Sequence, residues 1–139
     1  MKATVRWVGG AMFLGETESG HAVVMEGPPD AGGRNLGIRP MELVLTGTGG
    51  CTAFDVVNIL RKGRQDVRDC RLELTAERAA EPPQVFTKIH MHFVVSGRDL
   101  NPAQVKRAID LSAEKYCSAS IMLGKTAQIT RDFEIVQAD

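Results

Sequence analysis

The chain has 139 residues, a length that suits one domain or one subunit of a small oligomer. Hydrophobic residues make up 43% of it and charged residues 24%, which matches a soluble globular protein and excludes a disordered or collagen-like chain. The 17 Lys and Arg residues balance the 17 Asp and Glu residues, and this zero net charge argues against a nucleic-acid partner. We therefore predict a single domain over residues 1–139.

Two strands are predicted near the N-terminus, over residues 3–8 and 21–26, because β-branched residues there flank the turn formers Gly-Gly and Ser-Gly. Together they indicate an antiparallel meander. Residues 27–39 are predicted to form a loop, since Pro and Gly cluster there and disfavour both helix and central strand.

A long helix is predicted to start at Pro40, because proline suits the first helical position and Glu42 places an acid in the first turn. Apolar residues over 41–60 occupy several faces instead of one stripe, so we expect protein to enclose this helix on most sides. A lysine followed by Gly63 gives the helix a cationic end and a glycine stop.

The second half of the chain begins with two predicted strands, over residues 67–78 and 85–97, in which apolar residues alternate at period two. Asn101, followed by proline, is a predicted N-cap for a helix that ends at Cys117. The remaining predicted elements are a short apolar helix over residues 121–124 and an alternating strand over residues 128–136.

This order of elements predicts an α+β fold whose helices pack against antiparallel sheets. A chain of this size has few atoms with which to surround a low-polarity helix of about 20 residues, so a second copy is expected to supply the remaining cover. We therefore expect an intimate homodimer.

The three cysteines, Cys51, Cys70 and Cys117, are too few and odd in number for a secreted disulfide scaffold. The N-terminus lacks an apolar signal core, and no uninterrupted apolar run approaches the roughly 18 residues that span a bilayer. These observations predict a cytoplasmic protein without membrane association. Since cytosolic thiols are normally reduced, a conspicuous cysteine there is reactive, metal-binding or buried.

Cys51 follows three glycines, Gly47, Gly49 and Gly50, inside the predicted long helix. Each glycine costs about 1 kcal/mol relative to alanine in a helix interior, so a packing or access requirement should offset that cost. Small residues let a substrate or another backbone approach the Cys51 sulfur. If the glycines instead break the helix, Cys51 lies near a new helix N-terminus, whose unpaired N–H groups stabilise a thiolate. Either route makes Cys51 a candidate nucleophile.

Cys117 stands at the end of the following helix, in the run Glu-Lys-Tyr-Cys-Ser over residues 114–118. Two thiols that each lie at a helix junction can form a peroxidatic and resolving pair. They can equally be small buried hydrophobic side chains, as most free cysteines are. The residues by themselves leave both interpretations open.

The two cysteine motifs together resemble those of the OsmC/Ohr family of thiol-dependent peroxidases, and within it the YhfA-like branch. The motifs are Pro-Met-Glu-Leu-Val-Leu over residues 40–45, Gly-Gly-Cys over residues 49–51 and the run around Cys117. The resemblance extends over nearly the whole chain. It implies an α+β, OsmC-like fold, in which two central helices of an intertwined homodimer are wrapped by sheets, in agreement with the packing argument.

The resemblance implies that Cys51 is the peroxidatic residue, whose thiolate attacks a hydroperoxide and becomes a sulfenic acid. Cys117 would then condense with it to a disulfide. A dithiol reductant, lipoyl in well-studied relatives, would restore both thiols. No cofactor and no metal are expected.

The resemblance also maps the family's glutamate onto Glu42, which in relatives orients an arginine beside the reactive thiolate. Glu42 and Cys51 are nine residues apart, about 900° of helix, so one straight helix cannot aim both at the same point. A helix break or a site shared between subunits would reconcile them. No arginine of this chain aligns cleanly with that of the family: Arg34, in the glycine-rich loop, is the favoured counterpart, and Arg39 is the alternative.

The other chemistry-bearing residues are interpreted as structural or left open. Cys70 lies at a strand start and is interpreted as structural. His90 and His92 share a strand face at a spacing that can chelate a metal, but no further metal motif accompanies them. The glycine-rich run of the long helix matches neither a dinucleotide-binding fingerprint nor a Walker loop. Asp55 and Asn58, in the long helix, are either polar residues whose hydrogen bonds are satisfied at an interface or residues that line a pocket.

Two functional hypotheses follow. The first is a cytoplasmic, homodimeric, dithiol-dependent peroxidase that acts on organic hydroperoxides. The alternative is a non-catalytic protein on the same dimeric scaffold, which binds a hydrophobic ligand or senses redox state.

Overall fold

The computed structural model describes all residues from Met1 to Asp139. The chain divides into two compact units, Met1–Leu45 and Thr46–Asp139. Each unit contains one three-stranded sheet. That residues 1–139 act as one domain stays a prediction.

The first unit is built on an antiparallel sheet with the strand order β1-β2-β3. Its strands are β1 (Ala3–Gly9), β2 (Met12–Thr17) and β3 (Ala22–Glu26). Gly9 and Gly10 form the first turn with φ angles of 112° and 53°, a backbone conformation that glycine adopts without steric cost. The predicted N-terminal meander is confirmed.

A buried carboxylate organises the loop after β3. The Glu26 side chain is 2% exposed. It accepts hydrogen bonds from the backbone N–H groups of Arg34, at 2.8 Å, and Leu36, at 2.7 Å. These bonds hold the pKa of Glu26 below its usual value, because they stabilise the charged carboxylate more than burial penalises it. The loop is thereby anchored at a defined point.

Helix α1 (Pro40–Lys62) begins at the predicted proline. The Glu42 carboxylate caps its first turn by accepting a hydrogen bond from the backbone N–H of Arg39 at 3.0 Å. The helix continues without a break through its glycines, so Cys51 lies inside it. The alternative in which Cys51 stands at a new helix N-terminus is therefore wrong.

In the second unit, α1 buries one stripe of side chains. These residues recur at helical spacing and are Thr48, Gly49, Thr52, Val56 and Leu60. Gly49 lies against a strand of the second sheet, since a Cβ at this glycine would be 2.7 Å from Cδ1 of Leu74. Phe54, by contrast, is 70% exposed. The single chain thus leaves part of α1 uncovered, and the enclosure of α1 by a second copy stays a prediction.

By length and composition, α1 could also cross a membrane, with a mean hydropathy of 1.4 over 18 residues. The core helix of a soluble protein meets the same criterion, so this property alone is weak evidence for a membrane span.

The second sheet has the strand order β4-β5-β6. Its strands are β4 (Asp66–Arg78), β5 (Phe86–Arg98) and β6 (Gln128–Gln137). β4 and β5 are antiparallel, whereas β5 and β6 are parallel. The prediction of antiparallel sheets is therefore wrong for this last pair. The helical connection after β5 carries the chain back, so that β6 runs in the same direction as β5, and parallel strands require such a crossover.

That crossover consists of α2 (Pro102–Leu111), a π-helical turn (Ser112–Tyr116) and α3 (Ser118–Leu123). The Asn101 side chain caps α2 by accepting hydrogen bonds from backbone N–H groups of its first turn, as predicted. Cys117 stands alone between the π-helical turn and α3, in an extended backbone conformation.

The core of the second unit is apolar and combines residues from the middle strand with residues from two helices. Its most deeply buried apolar side chains are Ile89, Met91, Phe93 and Val95 of β5, Val56 and Leu60 of α1, and Val105, Ala108 and Ile109 of α2.

Candidate dithiol site

The two predicted redox cysteines lie close together in the second unit. Cys51 comes from the middle of α1 and Cys117 from the junction that precedes α3. Their sulfur atoms and a carboxylate oxygen of Asp55 all lie within 4.8 Å of one another. Both cysteines are free thiols. The fold thus brings together two thiols that are far apart in the sequence.

Asp55 reaches this cluster because it lies one turn after Cys51 on the same face of α1. Its carboxylate accepts a hydrogen bond from the hydroxyl of the buried Ser112 at 3.0 Å. Asp55 also lines a cavity of about 290 Å³, together with Asn58 and Tyr116 among others. Of the two interpretations left open for Asp55 and Asn58, the single chain therefore supports the pocket-lining one.

Cys117 is completely buried and surrounded by polar groups. Its sulfur lies 3.0 Å from the Thr52 hydroxyl and accepts a hydrogen bond from the backbone N–H of Ser120 at 3.4 Å. Burial raises the pKa of a thiol, but hydrogen bonds from Ser120 and Thr52 outweigh burial here. The pKa of Cys117 is lowered as a result.

Cys51 is partly exposed, and its pKa is raised. Burial is the largest cause, and the neighbouring Cys117 and Asp55 add to it because they carry negative charge. A hydrogen bond from the backbone N–H of Ala119 acts in the opposite direction. Within the single chain, Cys117 is therefore the thiol with the lowered pKa, while Cys51 is the more accessible sulfur.

A cation near this pair comes from a residue that sequence reasoning missed, Arg131 of β6. Its side chain is half-buried, and its Nε atom is buried without a hydrogen-bond partner. Burial lowers the pKa of Arg131, whereas the negative charges of Cys117 and Asp110 favour its charged form. The signal was present in the alternation of β6, where this arginine falls on the same strand face as the apolar Phe133.

The other predicted site residues belong to the first unit. The Arg34 side chain is 72% exposed, with its Nε atom 4.0 Å from Oε1 of Glu26. The Glu42 carboxylate lies 3.3 Å from Nη1 of Arg39 and caps α1. Catalytic roles for Arg34 and Glu42 stay predictions.

The remaining residues of interest lie on the second sheet. Cys70 of β4 is partly buried, and burial raises its pKa, which is typical of an unreactive thiol. His90 and His92 of β5 share Oδ1 of Asp132, at 3.2 and 2.7 Å. This carboxylate raises the pKa of His92 through its hydrogen bond. The two imidazoles are thus engaged with an acid of the neighbouring strand.

The architecture and the paired cysteines agree with a comparison against protein families. A family model described as OsmC-like protein matches residues 32–131, a span that includes Cys51 and Cys117. The chain belongs to the OsmC family. It is 54% identical to Protein YhfA of Escherichia coli strain K12, over 99% of this chain and 100% of the relative. The predicted family and its YhfA-like branch are therefore confirmed.

Solved structures share the OsmC-like fold of this chain. A hypothetical protein from Aquifex aeolicus VF5 is 27% identical and superposes with a TM-score of 0.88, over 99% of this chain and 97% of that one. The organic hydroperoxide resistance protein OhrB of Bacillus subtilis is 18% identical, with a TM-score of 0.66 over 96% of both chains. At the latter identity the likeness establishes a common fold. The predicted α+β, OsmC-like fold is confirmed.

Proposed function

We propose that this OsmC family protein is a thiol-dependent peroxidase that reduces organic hydroperoxides, and peroxide, through Cys51 and Cys117. The observation that carries the proposal is the convergence of the two sulfurs and the Asp55 carboxylate within 4.8 Å. A resolving thiol this close to the peroxidatic thiol can form a disulfide after a small side-chain movement. The fold of OhrB, described as an organic hydroperoxide resistance protein, supports the same chemistry.

The greater exposure of Cys51 supports it as the thiol that reacts with the hydroperoxide first. Its sulfur is partly exposed, whereas Cys117 is completely buried. A hydroperoxide that enters beside Asp55 therefore meets Cys51 first. The proton on Cys51 has an acceptor in the adjacent Cys117 thiolate, which its hydrogen bonds with Ser120 and Thr52 stabilise.

The proposed catalytic cycle has three steps. The Cys51 thiolate attacks the distal oxygen of the hydroperoxide, the O–O bond breaks, and the alkoxide takes from Cys117 the proton that Cys117 accepted from Cys51, so that it leaves as an alcohol and Cys117 is a thiolate again. Cys51 becomes a sulfenic acid, and the Cys117 thiolate attacks its sulfur with release of hydroxide. A dithiol reductant, for example a lipoylated protein, transfers two electrons to the disulfide and restores both thiols.

A homodimer is part of this proposal. Trp7, Phe13 and Phe54 are exposed aromatic side chains of the single chain. Gly47 and Gly50 cost helix stability, yet a Cβ at either position would meet nothing within 4 Å in this chain. A second copy that packs closely on α1 explains both features, and Arg34 with Glu42 would then complete the site as the family resemblance suggests.

A cytoplasmic location completes the proposal. The α1 helix meets the composition criterion for a membrane span, but it carries Asp55, whose carboxylate is hydrogen-bonded to Ser112 of the same unit. A hydrogen bond of this kind, to another segment of the same unit, is expected of a helix that packs within its own protein and not in a membrane.

One observation favours the alternative function, a non-catalytic protein that binds a hydrophobic ligand. An apolar cavity of about 510 Å³ lies within the first unit, lined among others by Val5, Phe13 and Met25. Such a volume suits a small ligand. Turnover separates the two functions, because a binding protein consumes no hydroperoxide.

The experiment is a stoichiometric hydroperoxide pulse followed by mass spectrometry, together with stopped-flow measurement of peroxide consumption in the presence of a dithiol. Wild type should form a Cys51–Cys117 disulfide and turn over, and Cys117→Ser should trap oxidised Cys51. Cys70→Ser is the matched control and should behave as wild type. Absence of turnover, or oxidation of Cys117 at an undiminished rate in Cys51→Ser, would refute the assignment.

A further inference from the structure

The cluster of Cys51, Asp55 and Cys117 has a ligand composition that redox chemistry alone does not require. Two sulfurs and a carboxylate oxygen converge from two segments of the second unit, with every pair of ligand atoms within 4.8 Å. A thiol pair that cycles between reduced and disulfide forms needs no third anionic group.

We propose that the reduced protein binds one Zn²⁺ ion per chain through Cys51, Asp55 and Cys117, with the fourth position open to water. Tetrahedral Zn²⁺ has bonds of about 2.3 Å to sulfur and about 2.0–2.2 Å to carboxylate oxygen, which places its ligand atoms roughly 3.5–3.8 Å apart. The three ligand atoms of the cluster, all within 4.8 Å of one another, lie close to that spacing.

The identity of the metal follows from the ligands. Two thiolates are soft donors that select Zn²⁺ over Mg²⁺ and Ca²⁺, which prefer oxygen. A dication also compensates three negative groups that otherwise repel one another at this distance.

Neighbouring groups form hydrogen bonds with two of the ligands and hold them in position, as they do at metal sites. Ser112 donates a hydrogen bond to Oδ2 of Asp55 at 3.0 Å, which leaves the other oxygen for a cation. Thr52 lies 3.0 Å from the Cys117 sulfur, and the backbone N–H of Ser120 donates to that sulfur at 3.4 Å. The cavity lined by Asp55 provides an entry path. Two of the three proposed ligands, Asp55 and Cys117, are thus held by hydrogen bonds before an ion arrives.

Binding of Zn²⁺ and oxidation of the thiols exclude each other, since a disulfide offers no thiolate. Zn²⁺ would therefore inhibit the peroxidase, and hydroperoxide would release the metal. This inhibition rests on the proposed function, whereas metal binding itself does not.

The test titrates the full-length, reduced protein with Zn²⁺ in competition with a chromophoric chelator. Wild type should take up one ion per chain, and protein oxidised to the disulfide should take up none. Asp55→Asn should weaken binding by at least about tenfold, as loss of ligands or their partners does at zinc sites. Asp110→Asn, which removes another half-buried acid, and Cys70→Ser are the matched controls and should bind as wild type does.

Co²⁺ provides an independent readout that needs no enzymatic activity. Bound Co²⁺ should show thiolate charge-transfer bands and the intense ligand-field bands of a tetrahedral site. Asp55→Cys, which supplies a third thiolate, should retain binding and strengthen the charge-transfer bands. Zn²⁺ uptake that is unchanged in Asp55→Asn, or lost in Cys70→Ser, would overturn the site. A protein that binds Zn²⁺ but consumes no hydroperoxide would refute the proposed function alone.

Discussion

At the residue scale, Cys51 and Cys117 share a side-chain type but differ in access and in hydrogen bonding. Cys117 is buried and has a lowered pKa, because its hydrogen bonds outweigh the cost of burial. Cys51 is partly exposed and has a raised pKa. In the proposed reaction the two thiols therefore act as a pair, in which Cys51 would meet the substrate and Cys117 would accept its proton.

We predict that Arg131 lowers the pKa of this pair. Arg131→Met removes the positive charge that interacts with Cys117, so the thiol pKa should rise and less thiolate should be present at neutral pH. The measurement is the ultraviolet absorbance of thiolates as a function of pH. Arg131→Lys should restore most of the effect, and the exposed Arg107→Met serves as control; identical titrations of wild type and Arg131→Met would contradict the prediction.

At the element scale, the three glycines of α1 differ in what surrounds them. Gly49 is buried against Leu74 of β4, where a Cβ would approach to 2.7 Å. Gly47 and Gly50 are exposed, and a Cβ at either would meet nothing within 4 Å. Within the single chain, the close approach of α1 to the second sheet thus explains Gly49 but not Gly47 or Gly50.

Gly49→Ala should destabilise the protein although alanine favours helix. Overpacking costs about 1–3 kcal/mol, whereas the gain in helix propensity is about 1 kcal/mol. Because the atom that the new methyl group would meet is the end of the half-buried Leu74 side chain, which can move, chemical denaturation at one fixed protein concentration should show a small net loss, below about 1 kcal/mol. Leu74→Ala opens the space that the new methyl group needs, so the double variant should lose less stability than the two single losses combined. Additive losses would exclude the contact as the cause.

At the scale of the whole molecule, several large apolar side chains are exposed in the single chain. Trp7 is 66% exposed and Phe54 is 70% exposed. Exposed aromatic groups of this size are typical of interaction surfaces. They support the proposed homodimer, which would also cover the faces of α1 that the single chain leaves open.

Sedimentation equilibrium should therefore give twice the 15.1 kDa mass of one chain. Phe54→Glu places a charge on the exposed face of α1 and should shift the protein towards monomer, because an unpaired carboxylate is costly to bury. Ala103→Glu, at an exposed residue of α2 with a small side chain, is the matched control and should leave the mass unchanged. A monomeric wild type, or an unchanged dimer in Phe54→Glu, would argue against an interface on α1.

The sequence by itself determined most of the elements and their order, although it missed β2, and it singled out the two cysteines. Proline at the start of α1, the Asn101 cap and the alternation in β5 are local signals, since each depends on residues a few positions apart. The motifs around Cys51 and Cys117 identified the family for the same reason, because they are short runs of residues. Local signals could not predict the parallel pairing of β5 and β6, which depends on how the crossover returns the chain.

Only the tertiary structure decided what surrounds the two thiols. It placed Asp55 and Ser112 beside them, put the lowered pKa on Cys117 instead of Cys51, and supplied Arg131 from the last strand. These groups come from separate elements, so no spacing along the chain relates them. The physical reason is that hydrogen bonds and charge interactions depend on distance through space, which packing of helices on the second sheet determines.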